Sequence, residues 1–218
     1  MDLRLYLVAD PEFNGQRPLL EKVAAALQGG VTAVQLRAKR ATPREILSLG
    51  EEVRRVARGM NAAFLVNDRP DLALALEADG VHVGPDDLPS PEARRLLPRP
   101  AILGVSASSV REAKEAEESG ADYLGVGPVF TTMTKPDAGE PLGLSSFSEI
   151  ASAVGIPVVG IGGITLENSA SVIEAGAAGV ATVSAILGAE DPEQAARALL
   201  RRVEQALVRR AGPPPNDR

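Results

Sequence analysis

The 218-residue chain has no cysteine, a single histidine, and only two tyrosines and four phenylalanines. Without cysteine there is no disulfide, no thiol nucleophile and no thiolate metal site. With aromatics at 3%, the 44% hydrophobic content must build its core from Ala, Val, Ile and Leu. A basic excess is also missing: 23 Lys and Arg stand against 29 Asp and Glu, a net charge of −6. That balance argues against non-specific binding to nucleic acid or anionic membranes, both of which want a basic surface. Any anionic substrate must then be held by positive charge gathered locally. No run reaches the roughly 18 apolar residues of a membrane span, and the N-terminus lacks a basic-then-apolar signal pattern. The expectation is a cytoplasmic protein whose partners are small molecules, with homo-oligomerisation left open.

What the chain does have is strict alternation. Short β-branched runs at Leu3–Ala9, Val31–Leu36, Ala63–Val66, Gly80–Val83, Ala101–Val105, Tyr123–Val126, Pro157–Ile161 and Gly179–Val183 read as strands. They are continuously apolar, the mark of parallel strands covered on both faces. Between them lie amphipathic stretches at Pro18–Gln28, Pro43–Arg58, Asp71–Leu76, Pro91–Leu97, Val110–Ser119, Ser146–Val154, Leu166–Ala175 and Pro192–Arg209. Several begin at proline or a Ser, Thr, Asp or Asn cap and stop at glycine. Eight strands alternating with eight helices predict a single (β/α)8 TIM barrel over residues 1–211, an α/β fold. A doubly wound sheet has the same alternation and is the rival. The proline-bearing tail, 212–218, reads as disordered.

In a barrel the catalytic residues follow the strands. Behind the second strand, alternation sends Gln35, Arg37 and Lys39 to one side, two cations and an amide suited to a polyphosphate. A solvated charged loop would look the same. Asn67-Asp68 follows the third strand and Gly84-Pro-Asp-Asp87 the fourth. Two strand-end carboxylates could share a hard cation, which for phosphate chemistry usually means Mg²⁺. Helix capping would also place Asp at 68 and 87. The sixth strand opens a long loop carrying Thr132, Thr134 and Lys135, a plausible phosphate cradle. Gly162-Gly163 ends the seventh strand and Val183-Ser184 the eighth, where this fold recurrently binds phosphate. His82 shares a strand face with Gly80 and Gly84, opposite Val81 and Val83, and suits structural packing as well as catalysis. Ser106 has no evident His–Asp partnership and reads as a hydrogen-bonding positioner.

In order and spacing, these segments resemble the thiamine-phosphate synthase family, also called thiamine-phosphate pyrophosphorylase. The likeness rests on Tyr6-Leu-Val-Ala-Asp10, Gln35-Leu-Arg-Ala-Lys39, Val66-Asn-Asp-Arg69, Gly80-Val-His-Val-Gly-Pro-Asp-Asp87 and Leu103-Gly-Val-Ser106. It continues through Asp122–Phe130, Thr132-Met-Thr-Lys135, Pro157–Ile164 and Val183-Ser-Ala-Ile186, so that it spans roughly residues 3 to 208. The resemblance implies an enzyme that joins a hydroxymethyl-aminopyrimidine diphosphate to a thiazole phosphate, releasing diphosphate. It implies that Gln35, Arg37, Lys39, Asn67, Ser106 and Lys135 hold the pyrimidine diphosphate, with Lys135, Arg37 and Ser106 acting at the reacting centre. Asp68 and Asp87 would ligate the cofactor Mg²⁺, and Thr132, Thr134, Gly163, Val183 and Ser184 would hold the thiazole phosphate. Pro85, Thr131 and Pro136 depart from the family pattern without removing a ligand. The tautomerase branch of the same superfamily carries a histidine just after the fifth-strand serine, where this chain has Ala107-Ser-Ser109. A non-catalytic barrel that binds a phosphorylated metabolite is a rival from another class.

Overall fold

The computed structural model describes residues 1–13, 17–134 and 139–212. Its eight strands are β1 (Leu5–Ala9), β2 (Ala33–Leu36), β3 (Ala63–Asn67), β4 (Gly80–Val83), β5 (Ile102–Ala107), β6 (Tyr123–Val126), β7 (Val158–Ile161) and β8 (Gly179–Thr182). Every pairing is parallel, each strand lies beside the next, and β8 returns to β1 through Leu5↔Val180 and Leu7↔Thr182. The ring is closed, which rules out the doubly wound alternative.

The continuously apolar strands follow from this closure. Successive side chains alternate between the helix layer outside and the barrel interior. Along β1, Leu5, Leu7 and Ala9 join the outer core, whereas Tyr6 and Val8 point inward with Ala33, Leu65, Tyr123, Val159 and Ala181. Residue size is matched across the interior. A Cβ at Gly104 would lie 2.2 Å from the Tyr123 ring, so the bare backbone of β5 makes room for that phenol.

The helices are α1 (Leu19–Gln28), α2 (Pro43–Gly59), α3 (Pro70–Ala75), α4 (Ser90–Leu96), α5 (Val110–Glu118), α6 (Gly143–Ser152), α7 (Ser169–Glu174), α8 (Ser184–Leu187) and α9 (Pro192–Ala211). Their start signals are those of the sequence. Thr42 and Glu45 form a capping box, Ser109 accepts from Glu112 N–H at 3.2 Å, and Asp191 accepts from Gln194 N–H at 3.0 Å.

Several expected boundaries move. Strands β3 and β5 run on to Asn67 and Ala107, so Asn67 and Ser106 stand on strands rather than after them. Helix α7 begins at Ser169 instead of Leu166. The residues before it form a turn in which Asn168 accepts from Thr165 N–H and donates to the Gly163 carbonyl. The short α8 was not anticipated. Residues 213–218 of the expected tail lie outside the described residues, and no described helix is long and apolar enough to cross a membrane.

Candidate active site

The C-terminal ends of the strands surround a cavity of about 350 Å³, within the range of small-ligand sites. Twelve of the thirteen residues given a binding, catalytic or metal role from the sequence line it. Gln35, Arg37 and Lys39 come from β2 and its loop, Asn67 and Asp68 from β3, Asp87 from the β4 loop and Ser106 from β5. Thr132 and Thr134 follow β6, Gly163 follows β7, and Val183 and Ser184 follow β8. Lys135 lies outside the described residues.

One wall holds the charge. Gln35 is buried and its amide donates to Asn67 Oδ1 at 2.9 Å, and both residues line the cavity. Lys39 Nζ stands 3.3 Å from Asp68 Oδ2. Arg37 forms an ion pair with the buried carboxylate of Asp10, which also accepts from Glu12 N–H at 2.9 Å. Asp10 therefore sets the direction of the guanidinium. Its place just after β1 matches that of Asp68 after β3, but the sequence around it does not point to Arg37 as its partner.

Asp68 and Asp87 are not helix caps. The N-caps of α3 and α4 are Arg69 and Pro89, and neither helix has a side-chain cap. Asp87 Oδ2 instead accepts from Gly84 N–H at 2.7 Å, pinning the β4 loop. Asp68 has left-handed backbone (φ 64°) and its N–H donates to the His82 carbonyl at 2.8 Å. Such a conformation is costly outside glycine and is kept where surrounding structure imposes it. Burial, and then the neighbouring Asp87 carboxylate, push the Asp68 carboxyl up to about 6, while Lys39 opposes them. Two hard oxygen donors turned toward each other at the cavity wall fit a divalent cation, which would relieve that repulsion.

A polar chain crosses the barrel interior beneath this wall. Tyr6 Oη lies 2.8 Å from Tyr123 Oη, which lies 2.9 Å from His82 Nδ1, and His82 Nε2 lies 3.0 Å from Ser106 Oγ. Both tyrosines of the chain are thus consumed here, and burial pushes both phenols above their usual range, so they stay protonated. The sequence reading missed them; their signal was that the only two tyrosines of an aromatic-poor chain both fall on strands. Ser106 meets a histidine supplied from β4 rather than from its own loop, and the other ring nitrogen of that histidine meets the Tyr123 phenol.

On the opposite side, Gly162 and Gly163 both have positive φ, 94° and 64°. A Cβ on Gly163 would fall 2.4 Å from the Thr131 carbonyl oxygen, so the seventh loop lies directly beneath the sixth. Thr134 N–H donates to Thr132 Oγ1 at 3.3 Å, which turns the two threonines along one stretch of the rim.

Residues 5–186 match the family model described as thiamine monophosphate synthase. A thiamine-phosphate synthase of Moorella thermoacetica is 53% identical over 202 residues, covering 93% of this chain and 96% of the relative. One from Roseiflexus castenholzii is 51% identical over 195 residues, covering 89% and 86%. Among solved structures, a thiamine phosphate pyrophosphorylase from Pyrococcus furiosus superposes with a TM-score of 0.88 at 43% identity, covering 95% of this chain and 98% of that one.

Proposed function

The chain belongs to the thiamine monophosphate synthase family, and from that premise we propose how its barrel mouth performs the reaction. The enzyme is a transferase that joins a hydroxymethyl-aminopyrimidine diphosphate to a thiazole phosphate, forming thiamine phosphate and releasing diphosphate. The bond between the pyrimidine methylene and the diphosphate oxygen breaks, its electron pair leaving with diphosphate. The thiazole ring nitrogen supplies the pair for the new carbon–nitrogen bond. That lone pair is free from the start, so no general base is required. The electron-rich aminopyrimidine stabilises positive charge as it develops on the methylene.

The work left to the protein is neutralising the departing diphosphate and aligning two rings, which is electrostatics and proximity. In our reading Arg37, Lys39 and Lys135 face the diphosphate, with Arg37 held in place by Asp10. Gln35, Asn67 and Ser106 orient the pyrimidine diphosphate, and Thr132, Thr134, Gly163, Val183 and Ser184 take the thiazole phosphate. Asp68 and Asp87 would hold Mg²⁺, which when bound adds positive charge against the diphosphate oxygens. The observation that carries this reading is convergence: residues from seven of the eight strand ends meet in one cavity, cations and carboxylates on one wall and glycines and hydroxyls on the other.

Incubation with both substrates and Mg²⁺, followed by mass spectrometry, should reveal thiamine phosphate and stoichiometric diphosphate. Binding of both substrates by folded protein without product would instead identify a non-catalytic metabolite-binding barrel.

A further inference from the structure

We propose that Tyr6, Tyr123 and His82 form a one-way hydrogen-bond chain that fixes Ser106 as a donor to the substrate rather than as a nucleophile. The inference rests on the reading that Ser106 meets the pyrimidine diphosphate, and it goes further by assigning the direction of every proton behind that contact.

The assignment follows from counting donors and acceptors. Each phenol and the serine carry one hydrogen, and a neutral imidazole carries one. The far end of the chain is Tyr6, 2% exposed, whose hydroxyl has Tyr123 Oη as its partner among the described residues. If Tyr6 donates to Tyr123, then Tyr123 donates to His82 Nδ1. His82 Nε2–H then donates to Ser106 Oγ, and the serine hydrogen is left to point into the cavity. In the reverse direction Ser106 would donate to Nε2 and Nδ1–H to Tyr123, which would donate to Tyr6. The buried Tyr6 hydrogen would then face no acceptor among the described residues, a loss comparable to a broken hydrogen bond. A doubly protonated imidazole leaves one phenol hydrogen in the same position.

The chemistry agrees with the first direction. A serine that gave its proton to histidine would be an activated nucleophile, which this displacement does not need. A serine that receives from histidine keeps its hydrogen for an acceptor on the pyrimidine or the diphosphate. The surroundings are shaped to the chain: a Cβ at Gly104 would strike Tyr123, and one at Gly125 would come 2.9 Å from His82 Cε1. Tyr6, Tyr123 and His82 are positioning residues that act through Ser106.

The single histidine makes the test direct. A long-range ¹⁵N–¹H spectrum of untagged, uniformly labelled protein at neutral pH contains one imidazole. We expect a protonated, pyrrole-type Nε2 and a pyridine-type Nδ1, with and without substrate. An Nδ1–H tautomer or an imidazolium overturns the proposal. Because it is read on free protein, this outcome is separate from whether thiamine phosphate is made. Tyr6→Phe should leave the tautomer in place, since Tyr123 still donates. Tyr123→Phe should release it and lower kcat/KM for the pyrimidine diphosphate about tenfold, as for one hydrogen bond. That loss should vanish in a Ser106→Ala background, whereas a purely structural role would cost as much there. His82→Asn should behave like Tyr123→Phe. A loss of about a thousandfold or more would instead make His82 a proton-transfer residue and overturn the chain. Should Tyr123→Phe not fold, the wild-type tautomer alone decides.

Discussion

At the scale of single residues, Asp68 is the point of greatest tension. Its folded value of about 6 lies above the ordinary 3.8, because burial and the Asp87 carboxylate both disfavour the charge. A carboxyl raised in this way contributes stability in its protonated form. The contribution is complete below about pH 4 and is lost as pH climbs through 6. Metal-free protein should therefore show a falling melting temperature between pH 5 and 7. Mg²⁺ should raise it strongly at pH 7 and barely at pH 5, where protons compete for the same oxygens; an equal effect at both would remove Asp68 from the metal site. Asp87→Ala should abolish the Mg²⁺ response while leaving the barrel folded. The other residue to test is Lys135, which follows the cavity-lining Thr134. If it meets charge that grows as diphosphate departs, its effect must be larger in the transition state than in bound substrate. Lys135→Ala should slow single-turnover bond formation about a hundredfold or more, with a much smaller change in pyrimidine diphosphate affinity. Weakened affinity with unchanged single-turnover chemistry would mean that the lysine only attracts anions to the mouth.

At the scale of elements, the seventh loop is specialised in its backbone. Gly163 combines left-handed φ with a 2.4 Å approach of its missing Cβ to the Thr131 carbonyl, so side chain and turn exclude one another. Gly163→Ala should cost at least about 1 kcal/mol for the conformation alone and displace the loop that bears Thr132 and Thr134. The expected result is a KM for the thiazole phosphate raised about tenfold or more, with affinity for the pyrimidine diphosphate nearly unchanged. Equal damage to both would show that the two loops do not divide the substrates between them. Helix α8 is held from behind by Lys22, buried on α1, whose Nζ donates to the Leu187 carbonyl at 2.8 Å. A cation at a helix C-terminus is the favourable arrangement, and it keeps Val183 and Ser184 against the cavity.

At the scale of the molecule, closure depends on a helix beyond the stretch that matches the family model. That match ends at residue 186, and α9 covers 192 to 211. Leu199 and Val203 of α9 are buried, and the helix packs on α1, α7 and α8. The end of α1 abuts it so closely that a Cβ on Gly29 would lie 2.3 Å from the Glu193 carbonyl oxygen. Arg210 donates to the carbonyls of Ile173 and Ala177, both at 2.7 Å, tying α9 to the end of α7. Deleting residues 192–218 should uncover the apolar faces of α1 and α7 beside the β8–β1 seam. Urea titration should then show no cooperative transition, whereas a retained transition would show that the barrel closes without α9.

Local chemistry made much of this legible in the chain. Continuous β-branched runs, Thr42 with Glu45, and proline at helix starts depend on near neighbours, so the alternation and most helix origins follow from sequence. The strand-end positions of Arg37, Asp68 and Gly163 follow too, because a parallel barrel turns strand order into a ring of loops. What the tertiary structure alone decided are relations between residues far apart in sequence. The alternation is equally compatible with an open sheet, and only the pairing of β1 with β8 excludes it. Nothing near Ser106 announces His82, 24 residues earlier, nor does anything near His82 announce Tyr123, 41 residues later. Their hydrogen bonds exist because the barrel brings the inward faces of β1, β4, β5 and β6 within a few ångströms. Asp10 is the same case: an aspartate after a strand acquires its meaning from Arg37, which reaches it across the first two strands of the ring.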